Sequence, residues 1–202
     1  MRYLLISLCL LLVACGSYPK KHNFQTEVSS INHIDNPYFS DKTKDYVYKA
    51  RIDVYKKSFG GIFIVKKLGE NNHRIVFTTE MGNKIFDFSF QKDDFKVNYI
   101  LDQIDKKILI NILRKDFKVL IQEKSHVLKT FSMDAEKVFE TKIDDKKYFY
   151  FKKNDQLNKI VRVSNTKEKV AYLFSEINNN IAKHIQIAHK NIKFELNYIN
   201  KE

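Results

Sequence analysis

The sequence predicts an α+β domain in which a curved antiparallel sheet, or partial barrel, packs one amphipathic helix against its concave side. Two patterns carry this prediction. From residue 46 to residue 99, apolar and polar residues alternate in short runs separated by turn residues, which is typical of an antiparallel meander with one buried face. The period then changes to that of a helix over residues 102–113. Further short apolar runs after residue 147 bring the total to about ten strands in one domain.

The composition fits one folded domain. The chain has 202 residues, of which 44% are hydrophobic, with 16 Phe, 11 Tyr and no Trp. Its 5 Gly and 2 Pro exclude a low-complexity or disordered chain. Lysine and arginine exceed the acidic residues by 12, but the lysines are spread along the chain as doublets. Such spreading favours a solvated surface over a nucleic-acid-binding patch, so we expect no nucleic-acid partner. We also expect a monomer.

The first fifteen residues predict an exported, acylated protein. Met1-Arg2 is followed by an apolar run over residues 3–13, which is too short to remain as a transmembrane helix. The run ends in Leu-Val-Ala-Cys-Gly at residues 12–16, which resembles the bacterial lipobox. We therefore predict a signal peptide over residues 1–14 and a diacylglycerol on Cys15; the alternative is an ordinary signal peptide with an incidental cysteine. Because Cys9 leaves with the peptide, no disulfide or cysteine metal site can form.

Residues 15–45 predict an N-terminal tether, and residues 46–202 a single domain. The first segment is polar and holds both prolines, Pro19 and Pro37. A short helix or strand near residues 26–31 is the one ordered element that its sequence suggests. Two or three acyl chains anchor a protein stably, so the domain would be held at a membrane surface.

The alternation predicts individual strands and their buried faces. One face of the first strand contains Tyr46, Tyr48, Ala50, Ile52 and Val54. Gly60-Gly61 predicts a bend or bulge before a strand at residues 62–65, and three later turns separate strands near residues 74–79, 85–90 and 95–99.

One helix is predicted after the meander, and the C-terminal half is predicted to contain mainly strands. Asp102 is a candidate N-cap, and one apolar stripe contains Ile104, Ile108, Leu109, Ile112 and Leu113. Residues 117–121 either extend this helix or begin a strand. Residues 124–142 predict a loop with a helical piece near residues 134–139, and strands resume at residues 147–152, 160–163, 169–174, 185–188 and 192–199.

The sequence offers no catalytic motif. Its six histidines have no metal-ligand spacing, and the near pair His184 and His189 shares neither a strand face nor a helical face. Nucleophile-elbow and phosphate-binding glycine motifs are absent from the sequence. We therefore expect a protein that is not an enzyme and that uses no cofactor or metal.

The chain resembles the LolA/LolB-like lipoprotein-localisation family, especially its LolB branch of outer-membrane receptors. The resemblance lies in the order of its segments: a lipobox, a polar segment, antiparallel strands, a Phe-rich strand and an amphipathic helix. The resemblance covers residues 46–113 best. It implies an unclosed barrel of about eleven strands with a helical lid over an apolar cavity. It also implies a periplasmic, lipid-anchored protein of the outer membrane that takes lipoprotein acyl chains from a LolA-like carrier and inserts them. The family's tryptophans and prolines are scarce here.

The resemblance also assigns candidate site residues. In the LolB branch, an exposed apolar residue before a glycine, on a loop between two early strands, serves membrane insertion. The matching residue is Met81, in Thr-Glu-Met-Gly at residues 79–82, where the family usually has Leu. The candidates for the cavity or lid are Ile52, Val54, Ile62, Ile64, Phe77, Phe86, Phe88, Ile104, Ile108 and Ile112.

Other interpretations stay open at the level of sequence. The apolar face can be a filled core rather than a cavity, and Met81 can be an ordinary turn residue packed on a neighbouring loop. The chain can also be a structural or assembly lipoprotein that binds a protein partner, or a general lipid carrier or sensor.

Overall fold

The structure is a computed structural model that describes residues 16–54, 56–190 and 192–199. The predicted signal peptide and Cys15 lie outside these residues. The strands are β1 (Gln25–Glu27), β2 (His33–Asp35), β3 (Asp45–Val54), β4 (Lys57–Gly69), β5 (Asn72–Thr78), β6 (Lys84–Gln91), β7 (Asp94–Ile100), β8 (Lys124–Met133), β9 (Glu136–Ile143), β10 (Lys146–Lys153), β11 (Gln156–Ser164), β12 (Lys167–Asn178), β13 (Ile181–Ala188) and β14 (Ile192–Tyr198). The α-helices are α1 (Tyr18–Lys21) and α2 (Lys107–Ile121), and a 3₁₀ helix spans Asp102–Ile104.

One antiparallel sheet contains all of these strands. Two meanders, β3 to β7 and β8 to β14, are joined where β14 pairs with β3. The sheet begins at β1 and ends at β7, and these two strands do not pair, so it remains open. The prediction of an open, mainly antiparallel sheet is confirmed, but the described residues form 14 strands rather than ten or eleven.

Three local predictions were wrong. The predicted loop at residues 124–142 is the β8–β9 hairpin, whose inward residues meet partners distant in sequence. No bulge interrupts β4 at Gly60-Gly61, because Gly60 and Gly61 pair in register with Arg51 and Ala50. Asp102 begins only the 3₁₀ turn, and α2 begins at Lys107 and continues through residues 117–121.

The predicted tether is structured from Tyr18 onwards. Tyr18 and Phe24 pack on the outer face of the sheet with Phe131, Phe149 and Phe151. β1 and β2 then pair along β8 and cover most of that edge. The segment therefore extends the sheet and covers part of its outer surface.

Residues 36–40 close one end of the concave face. The Tyr38 hydroxyl donates a hydrogen bond to the Leu157 carbonyl, and the Phe39 ring packs on Tyr46 and Tyr48. His73 binds the Phe39 carbonyl through Nε2 at 3.1 Å. Helix α2 crosses the same concave face and buries Leu109, Leu113, Asp116, Phe117, Val119, Leu120 and Ile121.

Candidate functional site

The middle of the concave face is a filled core. The ring of Phe117, on α2, lies 5.3 Å from Phe63, 5.6 Å from Phe86 and 5.7 Å from Phe194 between ring centroids. Phe86 in turn stacks on Phe88 at 4.7 Å. Beneath the second half of α2, aromatic rings therefore occupy the space that a fully open cavity would need.

An apolar pocket opens at the other end of α2, where the helix begins. It has a volume of about 550 Å³ and lies between the β3–β4 connection and the segment from the 3₁₀ turn to the first turn of α2. Its lining residues are Val54, Lys56, Lys57, Phe59, Gln103, Ile104, Lys106, Ile108 and Leu109. Ligand pockets commonly have volumes of roughly 300–1,000 Å³ and are mostly apolar, so this pocket has the size of a small-molecule site.

A narrow gap adjoins this pocket beneath the helix. Its volume is only about 10 Å³, and its lining residues are Ile52, Val54, Phe59, Phe77, Ile85, Phe86, Ile104, Leu109 and Leu113. Val54, Phe59, Ile104 and Leu109 line both spaces. These four side chains separate the open pocket from the apolar face of the sheet.

Several predicted cavity residues do lie at these two spaces. Ile52, Val54, Phe77, Phe86 and Ile104 line one or both. Phe88 is buried against Phe86 and Phe117 and lines neither. Ile112 is partly buried and packs on the core.

Two predictions need correction. Ile62 and Ile64 alternate with the fully buried Phe63 and Val65, so they lie on the outer face of β4. Ile108 is 72% exposed and lines the mouth of the pocket rather than its floor. The sequence did not single out Phe59, Gln103 or the pocket lysines Lys56, Lys57 and Lys106, because residues beside turns give no periodic pattern.

Met81 lies at the tip of the β5–β6 turn and is 91% exposed. The turn is closed by hydrogen bonds from Thr79 N–H to the Asn83 carbonyl and from Gly82 N–H to the Thr79 carbonyl, with Gly82 at a positive φ of 87°. Alternate turns of a meander lie at the same end, so this turn and the β3–β4 connection share one end of the sheet. Met81 and the pocket mouth are therefore at the same end.

The pocket mouth carries positive charge. Lys56, Lys57 and Lys106 line it, and none of these amines forms an ion pair within the described residues. The first turn of α2 contains no acidic residue, and no side chain caps it. The positive end of the helix dipole therefore adds to the lysine charge.

The second half of α2 is fastened to the sheet by polar contacts. Buried Asp116 accepts a hydrogen bond from the Tyr172 hydroxyl at 3.1 Å and lies 2.5 Å from His189 Nε2. Burial, together with the nearby Asp116 carboxylate, raises the pKa of the Tyr172 hydroxyl well above its usual value. Lys118 pairs with Asp144 at 2.7 Å and with Asp93 at 3.2 Å. All of these contacts lie beyond the pocket, toward the C-terminal end of the helix.

The described residues contain neither a metal-binding cluster nor a membrane-spanning helix. No group of three His, Cys, Asp or Glu side chains in this part of the chain could hold a metal ion. The longest helix there, α2, has 15 residues, and none of the described helices is of transmembrane length and hydrophobicity.

Comparison with solved structures finds similarity to the crystal structure of a LolA superfamily protein from Nitrosomonas europaea. The TM-score is 0.49 and the sequence identity is 10%, over 82% of this chain and 88% of that one. No protein-family model matches the chain, and no curated protein matches its sequence. What the chain binds must therefore be inferred from its own residues.

Proposed function

We propose that this chain is a lipid-anchored protein of the bacterial outer membrane, facing the periplasm, that binds lipoprotein acyl chains and helps insert them into that membrane. The observation that carries the proposal is the apolar pocket at the start of α2, which only four side chains separate from the gap over the sheet. The anchor would be the acylated Cys15, and the acyl chains would arrive from a LolA-like periplasmic carrier. The protein acts as a monomer and needs neither a cofactor nor a catalytic residue.

The pocket suits acyl chains because its floor is hydrocarbon. Ile104, Leu109 and Phe59 offer no hydrogen-bonding side-chain group to a ligand. Each methylene buried there contributes about 0.8 kcal/mol of transfer free energy, so a long chain gains several kcal/mol without any polar contact. This apolar floor selects chain length and hydrophobicity.

The first half of α2 is the part of the helix that can act as a lid. Asp116 and Lys118 hold the second half to the sheet, whereas the first turn has no side-chain cap and exposes Ile108. Movement of residues 101–109 away from Phe59 would join the pocket to the gap above Phe77 and Phe86. Acyl chains would then extend along the apolar face of the sheet.

Met81 has the position and exposure that an insertion residue requires. A flexible, unbranched apolar side chain at a turn tip can enter the lipid interface while the strands stay folded. The turn is held by backbone hydrogen bonds and by the Glu80–Lys49 ion pair at 2.9 Å. The side chain is therefore presented on a defined loop at the same end as the pocket mouth.

Binding is tested with a synthetic triacylated lipopeptide and residues 16–202, which contain every described strand and helix. Ile108→Glu places a carboxylate at the pocket mouth, and we expect it to weaken binding about tenfold, equivalent to about 1.4 kcal/mol. A glutamate in the first helical turn favours the helix dipole, so unfolding is not the expected cause of the loss. Leu128→Glu, at another exposed apolar position, is the control and should bind normally.

Absence of binding by the unaltered protein would exclude the proposal. It would favour the alternative in which this is an assembly lipoprotein that holds a protein partner.

Insertion is tested by following transfer of an acylated lipoprotein from its periplasmic carrier to outer-membrane vesicles. Met81→Glu should retain lipopeptide binding and lose most of the transfer rate, because a carboxylate resists entry into the lipid interface. Leu68→Glu, exposed near the opposite end of β4, should transfer normally. Unchanged transfer by the Met81 variant would assign the protein to lipid carriage or sensing instead.

A further inference from the structure

The mouth of the pocket is surrounded by three lysines from two separate parts of the chain. Lys56 lies in the β3–β4 connection, Lys57 begins β4, and Lys106 is the N-cap residue of α2. All three are exposed, and all three line the same pocket as Ile104, Ile108 and Leu109. Apolar walls therefore end at a cationic rim.

Many described lysines form no ion pair, and these three are distinguished because they line one apolar pocket. Several lysines elsewhere on the sheet are paired. Lys49 pairs with Glu80 at 2.9 Å, Lys147 with Glu140 at 2.8 Å, and Lys193 with Glu195 at 2.7 Å. No described carboxylate neutralises the three rim lysines in this way.

The acidic residues nearest in sequence do not line the pocket. Asp53 bonds to Arg51 at 3.1 Å, on a strand position that does not line the pocket. Asp102 begins the 3₁₀ turn and Asp105 follows it, and neither lines the pocket. A negative group at the mouth would therefore meet three amines and no carboxylate among the lining residues.

We infer that the pocket preferentially takes an acyl chain whose headgroup is anionic, either a carboxylate or a phosphate. The hydrocarbon lies on Ile104 and Leu109, and the headgroup lies among the Lys56, Lys57 and Lys106 amines. Charge-assisted contacts of this kind are stronger than neutral ones, and partial removal from water at a pocket mouth strengthens them further. This inference rests on the proposed function and adds the class of ligand that it favours.

The test compares amphiphiles with the same palmitoyl chain and different headgroups, using residues 16–202. The probes are palmitate, palmitoyl lysophosphatidylglycerol, palmitoyl lysophosphatidylcholine and neutral monopalmitoylglycerol, each below its micellar concentration. We expect both net-anionic probes to bind about tenfold more tightly than the neutral one, with the zwitterionic probe close to neutral. The difference should shrink as salt is raised, because these charges are near the surface.

Substitution of all three lysines identifies the group responsible. Lys56→Gln, Lys57→Gln and Lys106→Gln together should reduce the anionic preference to about twofold or less and leave monopalmitoylglycerol binding intact. The matched control replaces Lys137, Lys153 and Lys183, three exposed lysines that do not line the pocket, with glutamine. It has the same net charge and should keep the full preference.

Each outcome has a separate meaning. Equal binding of all four probes, or the same loss in both triple variants, would overturn the headgroup inference while leaving acyl-chain binding in place. Binding of none of the probes would overturn the proposed function as well. Inorganic phosphate should fail to displace palmitate at millimolar concentration; displacement would show that the lysines bind free anions and would overturn the preference for an acyl chain with an anionic headgroup.

Discussion

Asp116 of α2 and His189 of the β13–β14 turn lie 2.5 Å apart, between the carboxylate Oδ2 and the imidazole Nε2. The Tyr172 hydroxyl donates to the other carboxylate oxygen at 3.1 Å. These contacts fasten the helix to two neighbouring parts of the sheet, beside the aromatic cluster around Phe117. They place a carboxylate on the apolar side of α2, where its burial requires that it be paired.

Removal of the Asp116 carboxylate is expected to destabilise the fold. Asp116→Ala leaves the buried Tyr172 hydroxyl without an acceptor and should lower the free energy of unfolding by about 2–4 kcal/mol. Tyr172→Phe removes one hydrogen bond and should cost about 1 kcal/mol. Urea unfolding followed by circular dichroism measures both changes.

Tyr148→Phe is the control for these variants. Tyr148 is buried on the same face, but its hydroxyl has no hydrogen-bond partner among the described residues, so its loss should change stability little. If Asp116→Ala proved no more destabilising than Tyr148→Phe, the fastening role of Asp116 would be excluded.

The Asp87 carboxylate is expected to make stability depend on pH in strongly acidic solution. Hydrogen bonds from Arg74 at 2.7 and 2.9 Å, with further ones from Asn98 and Lys84, lower the pKa of Asp87 to about 2. A carboxyl group whose pKa is lower in the folded state stabilises the fold above its unfolded pKa, near 4, and loses this contribution as pH falls through 2. We expect about 1–2 kcal/mol, because the Arg74 guanidinium is half exposed.

Urea unfolding at pH 7, 4 and 2.5 checks this prediction. The stability of the unaltered protein should fall between pH 4 and pH 2.5, and Asp87→Asn should be less stable at pH 7 and should fall less over that interval. Asp155→Asn, at an exposed carboxylate that forms no ion pair among the described residues, should follow the unaltered protein. An Asp87→Asn profile parallel to that of the unaltered protein would contradict the assignment.

The buried face of a strand could be predicted only where apolar and polar residues alternate along it. Over residues 48–54 polar residues separate the apolar ones, so the inward set of β3 follows from the sequence. In β4 the run Ile62-Phe63-Ile64-Val65 is apolar throughout and has no phase of its own. Pairing with β3, which places Phe63 opposite Tyr48, decides that Phe63 and Val65 face inward.

Contacts between residues distant in sequence explain the other differences between the predicted and the observed structure. Residues 18–27 are ordered because Tyr18 and Phe24 meet Phe149 and Phe131, which lie more than a hundred residues away in sequence. The pocket depends on the separation of the β3–β4 connection from the start of α2, which no local pattern encodes. The antiparallel sheet, the helix on its concave face and the turn at residues 80–83 follow from local patterns, and these were predictable.

The adjacent glycines Gly60 and Gly61 of β4 are expected to respond in opposite ways to alanine. A Cβ on Gly61 would lie 1.8 Å from the Thr78 carbonyl oxygen, so β4 or β5 must move to accommodate it. Gly61→Ala should therefore cost about 1–3 kcal/mol or prevent folding. Gly60→Ala meets no atom within 4 Å and should leave stability unchanged or slightly raised.

Thermal unfolding distinguishes the two substitutions, and the soluble yield of each variant records failure to fold. Equal melting temperatures for the two variants would show that β4 and β5 are not packed as closely as the structure has them. This comparison also tests the corrected geometry of β4, because a bulge at these glycines would leave room for both methyl groups.

The outer cluster around Phe24 distinguishes a structured N-terminal segment from a tether. The Phe24 ring lies 5.8 Å from Phe131 and 6.0 Å from Phe151, and it covers the outer face of the sheet. Phe24→Ala should lower the free energy of unfolding by about 3 kcal/mol, whereas a residue in a flexible tether would contribute nothing. Val28→Ala, four residues later and fully exposed, is the control and should be neutral. Denaturant unfolding measures both, and amide hydrogen exchange over residues 24–35 should show protection that Phe24→Ala removes and Val28→Ala preserves.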